Sequence, residues 1–75
     1  MAAAFIEPRP RGANKPEEHT HYVIIVNGSQ VGGNFRTQKE AKESACRSDY
    51  RPVHVARVRH FPDRDIPDHW RVDPC

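Results

Sequence analysis

Five histidines are the first candidates for chemistry in this chain of 75 residues, because imidazole is a frequent zinc ligand and proton carrier. His19 and His21 form a His-x-His pair that would share one face of a strand. A structural zinc site needs four convergent ligands, and the chain has no Cys-x-x-Cys or His-x-x-x-His spacing. We therefore expect no metal and no other cofactor. The other three histidines are scattered along the chain at His54, His60 and His69.

Cysteine and acidic residues give no better support for catalysis. A nucleophilic cysteine needs an imidazole beside it, whereas Cys46 follows Ala45 in a predicted helix, where a small buried thiol is the usual interpretation. The acidic group Asp63, Asp65 and Asp68 lacks the glycine and the distal glutamate of a calcium loop. Since no spacing specifies a reaction, we expect a protein that is not an enzyme and has no small-molecule substrate.

Positive charge is concentrated in the middle of the chain. Between His21 and Phe61 seven basic residues face three acidic ones, whereas the whole chain carries a formal net charge of only +2. Such a surplus attracts phosphates and acidic protein surfaces. The alternative, a solvated face balanced by nearby acids, stays open. The basic residues that could form one continuous patch are Lys39, Lys42, Arg47, Arg51, Arg57 and Arg59.

Two strands joined by a tight turn are predicted before the helix. The segment from His21 to Asn27 has apolar residues on both alternating faces, which is typical of an interior strand. Asn27-Gly28 tolerates positive φ and suits a hairpin turn into a second strand from Ser29 to Phe35. Gly32-Gly33 predicts a bulge or a weak point in that second strand.

A capping box predicts where the helix begins. In Thr37-Gln38-Lys39-Glu40 the threonine hydroxyl can accept a hydrogen bond from the amide of Glu40, so the helix should start at Gln38 and end near Ser48. Ala41 and Ala45 lie four residues apart on one face, and their small size lets the helix approach the sheet closely.

Two further strands are expected after the helix. Pro52 prevents the helix from continuing, and the segment from Val53 to Phe61 is predicted as a third strand. His69 to Val72 is predicted as a short fourth strand, in which Trp70 adds the largest core side chain. The order strand, strand, helix, strand, strand indicates an α+β fold: a two-layer sandwich with an antiparallel sheet of three or four strands and one helix on one face.

The two ends of the chain differ in composition from its middle. Residues 1–19 contain several prolines without apolar periodicity, which predicts a flexible arm, and residues 20–75 are predicted as one small domain. The first residues lack the pattern of a secretory signal, and no apolar stretch could span a bilayer, so we expect a soluble intracellular protein. In such a protein Cys46 and Cys75 are expected to be free thiols.

Four short motifs carry a resemblance to a known family. They are Tyr22-Val23-Ile24-Ile25, Glu40-Ala41-Lys42-Glu43-Ser44-Ala45, Val55-Ala56-Arg57-Val58 and Trp70-Arg71-Val72-Asp73. In this order, over about residues 21–75, the chain resembles small anti-CRISPR proteins of phages and mobile elements, in particular the type I-F inhibitor family number nine.

The resemblance implies a function and a contact surface. Members of that family bind the backbone subunits of the type I crRNA-guided surveillance complex (Cascade) and block target DNA. By resemblance this chain would be a non-enzymatic inhibitor in the cytoplasm of the host bacterium, with no membrane partner. It departs from the family at Glu43 and Arg51, where the family has a basic and an aromatic residue. The contact residues that the resemblance implies are Lys42, Arg47, Asp49, Tyr50 and Arg51.

A direct nucleic-acid-binding module is the alternative. The predicted hairpin followed by Phe35-Arg36-Thr37 resembles the sheet and helix of integrase arm-binding domains, which place a three-stranded sheet in the major groove. Those domains have three strands before the helix, and only two can be read here. A third class, a structural or toxin-neutralising protein, also stays open.

Overall fold

The computed structural model describes residues 2–11 and 15–75. In that part of the chain one α-helix packs on one five-stranded mixed sheet, so the α+β class is confirmed. The sheet order is β3-β2-β1-β4-β5, in which β1 and β4 are parallel and the other pairs are antiparallel. The elements are β1 (Ala4–Arg9), β2 (His21–Val26), β3 (Ser29–Phe35), α1 (Gln38–Arg47), β4 (Val53–Ala56) and β5 (Trp70–Asp73).

The first strand, β1, corrects two predictions. Residues 4–9 belong to the predicted flexible arm, yet they form the central strand of the sheet, paired with β2 on one side and β4 on the other. The sheet is therefore five-stranded and mixed, where three or four antiparallel strands were predicted. Pro8, which has no amide proton, lies beyond Ile6, the last residue of β1 paired with β4. Met1 and residues 12–14 of the predicted arm lie outside the described residues.

The β2–β3 hairpin matches its prediction. Asn27 and Gly28 form the turn with φ of 52° and 81°, the left-handed region that tight hairpin turns require. The β2–β3 register shifts between Tyr22 and Ile24, and Gly32 on the facing strand has a φ of 72°. The predicted irregularity at the glycine pair is therefore confirmed, and it has a backbone cause.

Helix α1 begins and ends with local hydrogen bonds. Thr37 is the N-cap and its Oγ1 accepts from the amide of Glu40 at 3.1 Å, as the sequence predicts. At the other end the amides of Asp49 and Tyr50 donate to the carbonyl oxygens of Cys46 and Ala45. Asp49 adopts a φ of 67°. These two bonds and the left-handed residue form a Schellman motif.

The two faces of the sheet are buried by different groups. The helix-covered face is apolar and packs against Ala41 and Ala45, both fully buried. Its strand residues are Ala4, Ile6, Ile24, Val26, Val53 and Val55. By strand alternation and register the opposite face carries Phe5, Glu7, Val23, Ile25, His54 and Trp70. Burial of both faces explains why β2 is apolar on both sides.

The chain between β4 and β5 covers that opposite face as a loop. Strand β4 ends at Ala56, so the prediction of a strand from Val53 to Phe61 was wrong beyond that residue. Both neighbouring pairings end here: β5 begins at Trp70, directly opposite Ala56, and the pairing of β4 with β1 ends at Val55. The Trp70 indole Nε1–H donates to the Asp63 carbonyl oxygen at 2.9 Å, which fastens the loop to the face.

Cys46 and Cys75 form a disulfide bond, with their Cα atoms 5.6 Å apart. The prediction of free thiols was therefore wrong. Cys46 lies in the last turn of α1, and β5 returns alongside β4, whose first residues follow that turn. Cys75, two residues beyond β5, is thereby brought back to the helix. Only the pairing of β4 with β5 creates this proximity.

Among the described residues, no helix has the length and apolar character needed to cross a bilayer.

Candidate basic interface

Three of the predicted contact residues form the helix end. Asp49 and Tyr50 are the two residues of the Schellman motif, and Tyr50 also packs against the apolar core. Arg51 donates through Nη1 to the carbonyl oxygens of Tyr50 at 2.8 Å and Cys46 at 3.4 Å. Its Nη2 lies 3.8 Å from the Asp49 carboxylate. The guanidinium of Arg51 is therefore engaged with backbone carbonyls at and just beyond the end of α1.

The other two contact residues implied by the resemblance have different surroundings. The Lys42 Nζ lies 3.5 Å from the Asp73 carboxylate, and both side chains are largely buried. This ion pair joins α1 to β5. Arg47 is exposed and forms no ion pair with any described residue. Of the cations at this end of the helix, Arg47 alone in the described chain keeps its charge available.

Exposed cations without an acidic partner gather at the opposite end of α1. Within the described ranges these side chains form no ion pair, and each is exposed to solvent. Two flank the N-cap of the helix, and two follow β4, which runs antiparallel to α1 and therefore ends beside the helix start. We call this group the basic end; it consists of Arg36, Lys39, Arg57 and Arg59.

A cleft marks the basic end. It has a volume of about 250 Å³ and is lined by Gln38 from the first turn of α1 and by Arg59 and His60 from the loop after β4. Tyr22 from β2 also lines it. The positive end of the helix dipole adds to the local potential, although Glu40 in the same turn offsets part of it. The arrangement suits anionic groups.

The eight contact residues predicted from the sequence therefore do not form one patch. Lys39, Arg57 and Arg59 lie at the start of α1, whereas Arg47 and the helix-end residues Asp49, Tyr50 and Arg51 lie at its other end. Lys42 is between them and is paired with Asp73. Arg36, which completes the basic end, was missing from the predicted set.

A second polar group was missed entirely. Glu7 is only 2% exposed in the centre of the sheet, and its two carboxylate oxygens pair with different arginines. Arg9 Nη1 lies 3.1 Å from Oε1, and Arg64 Nε lies 2.9 Å from Oε2. An acidic residue inside the apolar run from Ala4 to Pro8 was the available signal for Glu7. Nothing in the sequence pointed to Arg64, since 57 residues separate the two.

The fold and the exposed groups define a small mixed-sheet α+β domain that carries the basic end beside the start of α1. Among the described residues, no group of three or more His, Cys, Asp or Glu side chains is placed to hold a metal ion. Comparisons with protein-family models, with curated proteins and with solved structures found no match to this chain.

Proposed function

We propose that this protein is a non-enzymatic binding module that recognises nucleic acid through the basic end. The observation that carries the proposal is the contrast in charge pairing along α1. Arg51 and Lys42 are engaged within the fold, whereas Arg36, Lys39, Arg57 and Arg59 have no acidic partner in the described chain. Cations that are free in the unbound protein can neutralise phosphates and release counterions without first breaking an internal pair.

The topology adds support. Three antiparallel strands, β3, β2 and β1, precede the helix in the chain, as in the arm-binding domains that the hairpin and helix resemble. The loop between β4 and β5 covers the outer face of the sheet, however, so the proposed contact uses the basic end and not the sheet face. Four cations at one end predict about three to four phosphate contacts and weak, sequence-independent binding.

A second candidate is inhibition of the type I surveillance complex. The outer surface of α1 carries Lys39, Glu40, Glu43 and Arg47, all exposed, two of them basic and two acidic. Mixed charge suits a protein surface better than a phosphate backbone. In this candidate the chain would lie against the complex backbone in the bacterial cytoplasm and exclude target DNA. The helix exit, from Lys42 to Arg51, would then contact the protein subunit.

Binding to labelled DNA and RNA, single- and double-stranded, tests the first candidate by fluorescence anisotropy. Affinity should fall roughly 40- to 150-fold between about 50 and 200 mM salt, the slope expected for three to four released counterions. Reversing Arg57→Glu and Arg59→Glu should abolish binding. The matched control, Arg47→Glu with Arg71→Glu, changes the net charge equally at exposed positions outside the basic end and should retain most binding.

Two outcomes would overturn the first candidate. One is the absence of any complex at low salt, and the other is equal loss in the two charge-reversal variants. Co-elution of the wild-type protein with a purified type I surveillance complex, with loss of target-DNA binding and without binding to naked nucleic acid, would favour the second candidate. In that case Arg47→Glu should be the more damaging substitution.

A further inference from the structure

A cavity lies between the loop-covered face of the sheet and the loop itself. Its volume is about 800 Å³, within the range of small-molecule sites. Phe5 and Glu7 line it from β1, and Phe61 and Arg64 line it from the loop, with Arg11 nearby. It is separate from the cleft at the basic end and shares no lining residue with it.

Glu7 holds Arg64 in this cavity. A carboxylate buried to this degree is stable only when it is paired, and apolar residues in the same place often serve stability equally well. The ion pair also leaves part of the Arg64 guanidinium unused. The ion pair uses the Nε of Arg64, and its two Nη groups donate no hydrogen bond to any described residue. Their N–H donors are therefore available on a guanidinium held in position, which is the geometry that binds phosphate.

The lining also limits the kind of ligand. Asp63 and Asp65 add carboxylates to the lining, so that with Glu7 three carboxylates accompany Arg11 and Arg64. One Asp63 oxygen already accepts from the amide of Asp65 at 2.9 Å. A bare anion would meet repulsion from these carboxylates. A molecule with a phosphate, a planar ring and hydroxyl or amino donors would instead match the arginines, the two half-buried phenylalanines and the aspartates together.

We propose that this cavity binds a nucleoside monophosphate unit, with its phosphate on Arg64 and Arg11 and its base against Phe5 and Phe61. The unit is either a free nucleotide or the phosphorylated end of a single strand, since both present the same chemistry. The site uses none of the four residues of the basic end, so it can fail or succeed independently of the proposed function.

Amide chemical shifts of the labelled full chain test this site. Titration with adenosine monophosphate should shift the amides of residues 61–65 and the Trp70 indole N–H, which is hydrogen-bonded to Asp63, in a saturable way. Adenosine alone and inorganic phosphate alone should bind at least roughly tenfold more weakly, because each lacks one half of the contacts. A short 5′-phosphorylated oligonucleotide distinguishes the two sources of this chemistry. Tighter binding than that of adenosine monophosphate indicates a strand end, and weaker binding indicates a free nucleotide.

Arg64→Gln should weaken nucleotide binding by roughly tenfold or more. Arg71→Gln is the matched control, because Arg71 is exposed, pairs with Asp73 and is remote from the cavity. If loss of amide shift dispersion shows that Arg64→Gln is unfolded, Arg11→Gln gives the same test and leaves the Glu7 ion pairs intact. Absence of saturable shifts at millimolar nucleotide, or equal binding by the Arg11 and Arg71 variants, would refute the site. The double reversal of Arg57 and Arg59 should leave it unchanged.

Discussion

The helix-covered face of the sheet and the loop-covered face are closed by different kinds of contact. On the first, small alanines of α1 press against aliphatic strand residues such as Ile24 and Val55, a distributed apolar interface. On the second, Trp70 packs edge-on against Phe5 at 5.0 Å, and a buried glutamate holds the covering loop through Arg64. The second face also buries the aliphatic residues Val23 and Ile25, but its covering loop is held by a few specific groups, whereas the contacts of the first face are spread over many residues.

The largest effect on the free energy of unfolding is expected at Trp70, which is 5% exposed and packs on the second face. Trp70→Ala should lower the free energy of unfolding by about 3–5 kcal/mol, since it removes a large buried ring and leaves a cavity. Denaturant unfolding followed by circular dichroism measures the change. Trp70→Phe keeps an aromatic ring but removes the Nε1 donor and part of the indole ring, so it should cost less, about 1–3 kcal/mol. A loss below about 1 kcal/mol in Trp70→Ala would mean that the loop does not depend on this ring.

The next largest effect is expected on the helix-covered side, where the disulfide joins α1 to the chain end. Reduction should lower the free energy of unfolding by about 3–4 kcal/mol, because the bond closes a loop with a sequence separation of 29 residues. Thermal unfolding with and without reductant measures it. The double variant Cys46→Ser with Cys75→Ser should match the reduced protein and ignore reductant. Equal stability of the oxidised and reduced proteins would show that the packing of α1 does not depend on the disulfide bond.

The smallest and sharpest test compares one ion pair from each face by double-mutant cycles. The buried Glu7–Arg64 pair should show a coupling free energy of about 1–3 kcal/mol. Lys42–Asp73, at 3.5 Å and with no partner as deeply buried as Glu7, should show less than about 1 kcal/mol and weaken with added salt. Equal couplings would contradict the view that the second face depends on specific polar contacts. The first cycle uses Glu7→Gln with Arg64→Gln, and the second uses Lys42→Gln with Asp73→Asn.

Local sequence signals predicted the hairpin and the helix well. Asn27-Gly28 adopts the positive φ values that its composition favours, and Thr37 caps α1 at the predicted residue. Each of these features involves residues within four positions of one another, so neighbouring side chains and backbone decide it. The bounds of β3 and the start of α1 agree with prediction for the same reason.

Long-range pairing explains what the sequence could not show. Glu7 and Pro8 interrupt the apolar run of β1, and nothing local indicates that Arg9 and Arg64 converge on that glutamate or that β4 lies beside the strand. The predicted contact residues are likewise distributed over both ends of α1, which local sequence does not indicate. Arg51 has the charge expected of a contact residue, but its guanidinium donates to the carbonyl oxygens of Cys46 and Tyr50.

The sequence by itself determined the helix with its cap, the hairpin with its turn, the α+β class and the surplus of positive charge in the middle of the chain. These depend on residue type and short spacing. The tertiary structure alone decided that β1 is the central strand, that Cys46 meets Cys75, and that the free cations gather at the start of α1. Each depends on contacts between distant residues, whose free energy is gained only when the whole sheet closes.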